Sequence, residues 1–247
     1  MSIESERDIN GLKAIGRIIA LALNAMKKQV QPGMTTAELD SIGKAILDSH
    51  GARSAPNLVY GFPGTTCISL NDEAAHGVPG DKVIRQGDLV NIDISAELNG
   101  YFADAAVTVP VPPISSLKWK LCQCAQQALR KAMSAAQAGQ PINAIGRAAE
   151  SAAQQCGFSI IQDLTGHGVG RNIHEEPAVP GFYAPWMNQR LTEGLVITIE
   201  PFLSTGAERV VTSEDGWTLK TPDGSLSVQY EHTIVVTREQ PMIITTA

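Results

Sequence analysis

The chain has 247 residues, with 19 Lys and Arg against 25 Asp and Glu, so its net charge is −6. Apolar side chains at 43% and charged ones at 18% support a large core and exclude disorder. An acidic balance with no basic stripe also excludes a nucleic-acid binder driven by phosphate contacts.

Glu4, Glu6 and Asp8 precede the first apolar run, the wrong charge for a secretory leader. That run, from Ile15 to Met26, is too short to span a bilayer and carries Arg17. The chain therefore reads as a cytoplasmic globular protein with no membrane segment. Two helical pairs are predicted, over 5–29 and 35–50 and again over 115–138 and 142–156. Thr35-x-x-Glu38 is a capping-box signature, and Gly51 suits the position after a helix end. Pro112-Pro113 delays the third long helix until Ser115 or Ser116. Gly33 and Gly51 recur as Gly139 and Gly157 at an offset of 106, which predicts two αβ halves related by pseudo-symmetry. Strands after each helical pair argue for an α+β fold with helices packed on a curved antiparallel sheet. The Pro-rich stretch 175–192 reads as the longest loop. The four cysteines lack metal-site spacing and read as reduced thiols.

The chemistry lies on the strands. In Leu89–Ser95, Val90, Ile92 and Ile94 share one face, while Asn91, Asp93 and Ser95 share the other. Asn99-Gly100 is a hairpin signal, and a two-residue turn there pairs Leu98 with Tyr101 and Asp93 with Ala106. Asp104 becomes a diagonal neighbour of Asp93, within about 7–8 Å at Cα. The run Leu195–Glu200 places Glu200 with Val196 and Thr198, and Pro201 limits that strand. A strand over Ser227–Thr233 places Glu231 with Ser227, Gln229 and Thr233. Like charges this close repel unless something positive lies between them. A histidine cluster joins them: His167 between glycines, then His174, with His76 in another Gly/Pro-bounded segment. His50 reads as a helix-end surface residue and His232 as packed. Four carboxylates and an imidazole suit a pair of divalent ions that polarise a carbonyl or phosphoryl oxygen, so a binuclear metallohydrolase follows, with peptide and phosphate ester both open.

At these residues the chain resembles type I methionine aminopeptidases. The resemblance rests on Asn71-Asp72-Glu73-Ala74-Ala75-His76-Gly77-Val78-Pro79, Asn91-Ile92-Asp93, Gly166-His167-Gly168-Val169-Gly170, His174-Glu175-Glu176-Pro177, Ile199-Glu200-Pro201 and Gln229-Tyr230-Glu231-His232-Thr233. It implies the pita-bread fold, with a single catalytic domain over residues 1–247, and two divalent cations (Co, Mn, Fe(II) or Zn). The ligands it implies are Asp93, Asp104, His167, Glu200 and Glu231. Asp104 and Glu231 would bridge both ions, Asp93 would chelate one, and His167 with Glu200 would hold the other. Metal-activated water would attack the first peptide bond, with Glu200 as proton shuttle, His174 at the scissile carbonyl and His76 positioning the substrate. Phe62, Cys67, Trp217 and Tyr60 would line the methionine pocket. The implied substrates are N-terminal peptides of nascent proteins whose second residue is small and uncharged, met near the ribosome by a monomer. The chain departs from the family pattern at Pro56, Val59 and Ile173, and around Asp104, where Ala103 and Ala105 flank the acid. Two alternatives share the fold: a proline-directed aminopeptidase or prolidase, and a non-catalytic binding protein that would have lost ligands.

Overall fold

The computed structural model describes residues 1–246. Its helices begin and end at caps. The Ser5 hydroxyl accepts from the Asp8 N–H and the Asp8 carboxylate accepts from the Ser5 N–H, which starts α1 (Glu6–Gln29). Thr35 and Glu38 repeat this box at the head of α2 (Thr36–Ser49), as the sequence predicts, and Gly51 follows at φ +69°. A short α3 (Ala55–Tyr60), which periodicity did not reveal, starts at Ser54 and stops at left-handed Gly61. α4 (Ser116–Ala135) starts at the Ser115 cap, and α5 (Asn143–Cys156) ends at left-handed Gly157.

α1 is longer than the run Ile15–Met26 suggests. Its 24 residues are long and apolar enough to cross a membrane by length and composition alone. Leu12, Ile15, Ile19, Ala22 and Met26 are nevertheless fully buried, spaced as the single apolar stripe of a core helix. They pack with Leu39 and Leu47 of α2 against Ile92, Ile94 and Ala105 of the first sheet. A second core repeats the arrangement: Leu121, Ala125 and Ala128 of α4 and Ile145, Ala149 and Ala152 of α5 pack on Ile197, Ile199 and Ile234. Each fully buried aliphatic side chain stabilises its half by about 1.5–3 kcal/mol.

The strands Leu89–Leu98 and Tyr101–Pro110 form the predicted hairpin, with Leu98 opposite Tyr101, Asp93 opposite Ala106 and Ser95 opposite Asp104. Both turn residues have positive φ, +52° at Asn99 and +81° at Gly100, which matches the right-handed twist of the strands. Cys67–Leu70 pairs on the other side of Leu89–Leu98 and sets Cys67 opposite Asp93.

The second half departs from prediction in two places. Glu175–Pro180 is a strand rather than loop. It lies at the edge of its five-stranded sheet, where Pro177 and Pro180 need donate to no further neighbour. The expected strand Ser227–Thr233 is broken into Ser227–Gln229 and His232–Val235. Its partner breaks at the same level, between Val196–Ile199 and Phe202–Ser204. Phe202 faces Gln229 and Ile199 faces His232, so one register runs through the gap and places Glu200 opposite Glu231, and Pro201 opposite Tyr230. Pro201 has no N–H to give the ladder, and the Glu231 N–H turns instead to the Ala106 carbonyl at 3.0 Å.

Threonine hydroxyls join the halves. Thr108 Oγ1 donates to the Gln229 carbonyl (2.9 Å) and accepts from the Gln229 N–H (3.1 Å). Thr233 Oγ1 likewise donates to the Asp104 carbonyl (2.8 Å) and accepts from the Asp104 N–H (2.9 Å). Each hydroxyl stands in for a missing ladder contact.

Candidate metal centre

His167 occupies the strand Thr165–Gly168, next to a register shift between His167 and Gly168. Shifts of this kind re-aim a side chain. The flanking glycines admit neighbouring backbone: a Cβ on Gly166 would lie 2.5 Å from the Thr198 carbonyl, and one on Gly168 2.3 Å from the Glu176 carbonyl. The His167 N–H donates to Thr198 Oγ1 at 3.0 Å. Its Nδ1 lies 2.9 Å from the Gly168 carbonyl, which can only accept, so Nδ1 carries the proton. The lone pair is then on Nε2, which lies 3.6 Å from Glu200 Oε1 and 3.9 Å from Asp104 Oδ2.

Donor atoms of Asp104, His167 and Glu231 all lie within 4.8 Å of one another. Asp93 and Glu200 complete the cluster through the hairpin register and the gap described above. Asp104 Oδ1 and Glu231 Oε1 are buried with no hydrogen-bond partner. Unsatisfied buried carboxylate oxygens are costly, and no lysine or arginine lines this cavity. Two donors at about 2.1 Å from one ion and a tetrahedral angle lie roughly 3.4 Å apart, close to the His167–Glu200 spacing. The residues fit a divalent cation, and hard oxygen donors with one imidazole suit a first-row metal.

Burial and mutual repulsion push all four acids toward the protonated form. Burial, opposed by hydrogen bonds from Asp104 and Gln229, raises Asp93 to about 6. Burial and then the Asp93 charge push Glu200 up to about 8. Asp104 and Glu231 are also raised well above the ordinary carboxylate range, by burial first and then by the charges of the other acids. Burial and the neighbouring His174 lower His167 to about 3, leaving a neutral imidazole, the form that ligates metal.

Two supporting residues have roles that residue types alone do not disclose. Gln229 is fully buried and donates from Nε2 to Glu200 Oε2 (3.1 Å) and Glu231 Oε2 (3.3 Å). Thr198 donates to Glu200 Oε1 at 2.8 Å while accepting from His167. Strand alternation places both on the same face as the acids two residues later, which was the one signal available for them.

The cluster opens into a cavity of about 260 Å³ lined by Tyr60, Phe62, Cys67, His76, His174 and Trp217, together with Pro56 and Ile173. Phe62 and Trp217 meet edge to face at 5.3 Å, and His174 lies 4.2 Å from the His167 ring. Cys67 is buried, and burial followed by the Asp93 charge holds its thiol well above the ordinary range, which makes it a poor nucleophile. Val59 is not among the lining residues; it is 46% exposed on α3, and Tyr60 takes its place on the wall. His50 is an exposed helix cap, and His232 is tied to Thr245.

Residues 10–238 match the profile of Metallopeptidase family M24. The chain is 50% identical over 247 residues to methionine aminopeptidase 2 of Bacillus subtilis, covering 99% of both chains. It superposes on the crystal structure of methionine aminopeptidase from Thermotoga maritima with a TM-score of 0.96 at 33% identity, each chain fully covered. Prolidase from Pyrococcus furiosus gives a TM-score of 0.78 at 24% identity over 99% of this chain and 65% of that one, a likeness of fold alone. These likenesses bear out the pita-bread expectation, and the match over residues 10–238 covers most of the sequence: the chain belongs to metallopeptidase family M24.

Proposed function

We propose that this enzyme is a type I methionine aminopeptidase, a single catalytic domain that removes the N-terminal methionine when the second residue is small and uncharged. The observation that carries the reading is the joining of the Asp104, His167 and Glu231 donor cluster, with Asp93 and Glu200 beside it, to a small, partly apolar cavity. At about 260 Å³ the cavity suits one or two residues of a chain end rather than a folded segment. Full-length likeness to methionine aminopeptidases supports the same substrate.

In this reading Asp93, Asp104, His167, Glu200 and Glu231 hold two divalent cations of the Co, Mn, Fe(II) or Zn class. Cations held there would polarise the scissile carbonyl and lower the pKa of a water, so that it could give up a proton and attack as hydroxide. Glu200, kept in place by Thr198 and Gln229, takes the water's proton and passes it to the departing amine. His174 donates a hydrogen bond to the carbonyl oxygen as charge develops, and His76 holds the scissile amide. Phe62, Cys67, Trp217 and Tyr60 surround the methionine side chain. The enzyme is proposed to act in the cytoplasm as a monomer, on nascent chains near the ribosome.

The test is metal-dependent release of free methionine from Met-Ala-Ser, run beside an Xaa-Pro peptide. Methionine release only with added divalent metal is expected. Preferred cleavage of the Xaa-Pro peptide, or no hydrolysis with any first-row metal, overturns the reading.

A further inference from the structure

Tyr60 ends α3 with its ring about half-exposed, and its hydroxyl lies 2.6 Å from Nδ1 of His174. The two rings are 5.6 Å apart and tilted by 39°. Two neighbouring imidazoles therefore meet different partners at the same ring atom. Nδ1 of His167 faces a carbonyl, which can only accept, so that ring keeps its lone pair on Nε2. Nδ1 of His174 faces a phenol, which can donate. An unprotonated imidazole nitrogen accepts a hydrogen bond far better than a neutral phenol oxygen does, and a phenol O–H donates more strongly than an imidazole N–H, so at 2.6 Å the O–H points at the ring nitrogen. The ring proton of His174 then resides on Nε2.

We infer that Tyr60 is a positioning residue that holds His174 as its Nε2–H tautomer, so that this ring offers the cavity a hydrogen-bond donor. The inference rests on the role proposed for His174 at the scissile carbonyl. A lone pair at that atom would repel the charge developing on the oxygen, whereas an N–H stabilises it. The same assignment separates the work of the two rings. His167 presents a lone pair that can ligate, and His174 presents a proton that cannot, although the rings lie only 4.2 Å apart. The segment carrying His174 is anchored independently. The Arg171 and Asn172 N–H groups donate to Glu175 Oε1, each at 2.7 Å, and the Arg171 guanidinium stacks 4.0 Å from the Tyr101 ring centre. With the backbone fixed, the Tyr60 hydroxyl controls the tautomer.

The test combines nitrogen-15 NMR of labelled histidines with a double-mutant cycle, using zinc-loaded and metal-free wild type, Tyr60→Phe, His174→Ala and the double variant. In wild type the His174 signals should show a bare Nδ1 and a protonated Nε2, and Tyr60→Phe should mix the two tautomers. On Met-Ala-Ser, Tyr60→Phe should lower kcat about tenfold with KM within about twofold, the loss of one hydrogen bond acting in the transition state. In the His174→Ala background the same change should cost less than about twofold. A proton on Nδ1 in wild type overturns the assignment, as does a full Tyr60→Phe loss in the His174→Ala background, which would mean that the hydroxyl touches substrate directly. Should wild type release no methionine with any metal, the functional reading fails while the NMR still decides the role of Tyr60.

Discussion

His167 Nε2 stands 3.6 Å from Glu200 Oε1, too far for a hydrogen bond and close enough for both atoms to grip one ion. The pair joins two strands of the second half. Glu231 also belongs to the second half, while Asp93 and Asp104 come from the hairpin of the first, so each half supplies candidate ligands that the other lacks.

Asp104→Asn and Glu231→Gln should each abolish most turnover, beyond the roughly 10–100-fold that loss of an outer-shell partner costs. The metal-free fold should survive, because either change relieves like-charge repulsion in the cluster. Steady-state kinetics at matched metal content and thermal unfolding of the apo protein measure both. Near-normal turnover in both variants would remove the case for two cations.

The two histidines should separate cleanly. His167→Ala should weaken metal binding in titration calorimetry. His174→Ala should leave binding almost unchanged and lower kcat, because the lost interaction belongs to the transition state. The roles would be exchanged if His174→Ala lost a metal while His167→Ala kept both.

Metal-free stability should fall as pH rises. Asp93 is raised from 3.8 to about 6 and Glu200 from 4.5 to about 8, so across that window the folded chain holds protons that the unfolded chain has released. The lowered histidines act in the opposite sense below about pH 6.5, where the unfolded chain holds their protons, so the net slope of unfolding free energy against pH is negative between roughly pH 6.5 and 8. The apo melting temperature should drop between pH 6.5 and pH 8, and a saturating divalent cation should reverse the trend. A flat or rising apo profile would contradict the clustering of these acids.

Discrimination for methionine should be shallow. Ile173 is buried on the cavity wall and Pro56 lines the same wall, both at positions where the chain departs from the pattern it resembles. Val59 has no part in this, being exposed on α3. One methylene in an apolar pocket is worth only about 1–3 kcal/mol, so norleucine- and leucine-initiated peptides should lag methionine modestly in kcat/KM. Ile173→Phe should steepen the Met/Leu ratio. An unchanged ratio would assign the pocket to Tyr60, Phe62 and Trp217.

Local chemistry was legible in the residues, and contacts between distant segments were not. Asn99-Gly100 set the hairpin register from Leu98 through Asp93, because a two-residue turn leaves only one pairing. The capping residues Ser115, Thr35 and Glu38 lie next to the helices they start, and their signals are equally local. Alternation placed Gln229 and Thr198 on the right face but could not show that they donate to Glu200, since that depends on strands brought together by tertiary packing. The break at Glu200-Pro201 was half visible in the proline. Its counterpart at Tyr230-Glu231 was invisible, because nothing in those residues forbids a strand. α3 has only six residues, too few for a helical period to register, and with it the approach of Tyr60 to His174 was hidden.

The threonine contacts that join the halves span 121 residues between Thr108 and Gln229 and 129 between Asp104 and Thr233. Such closures form late, after each hairpin and helical pair has organised locally, because their loop entropy must be met before they give anything back. A chain arrested before this closure would display Asp93 and Asp104 without the imidazole or the two glutamates. Cation affinity is thus a reporter of the last assembly step: metal uptake in a refolding experiment should follow the docking of the halves and lag behind helix formation.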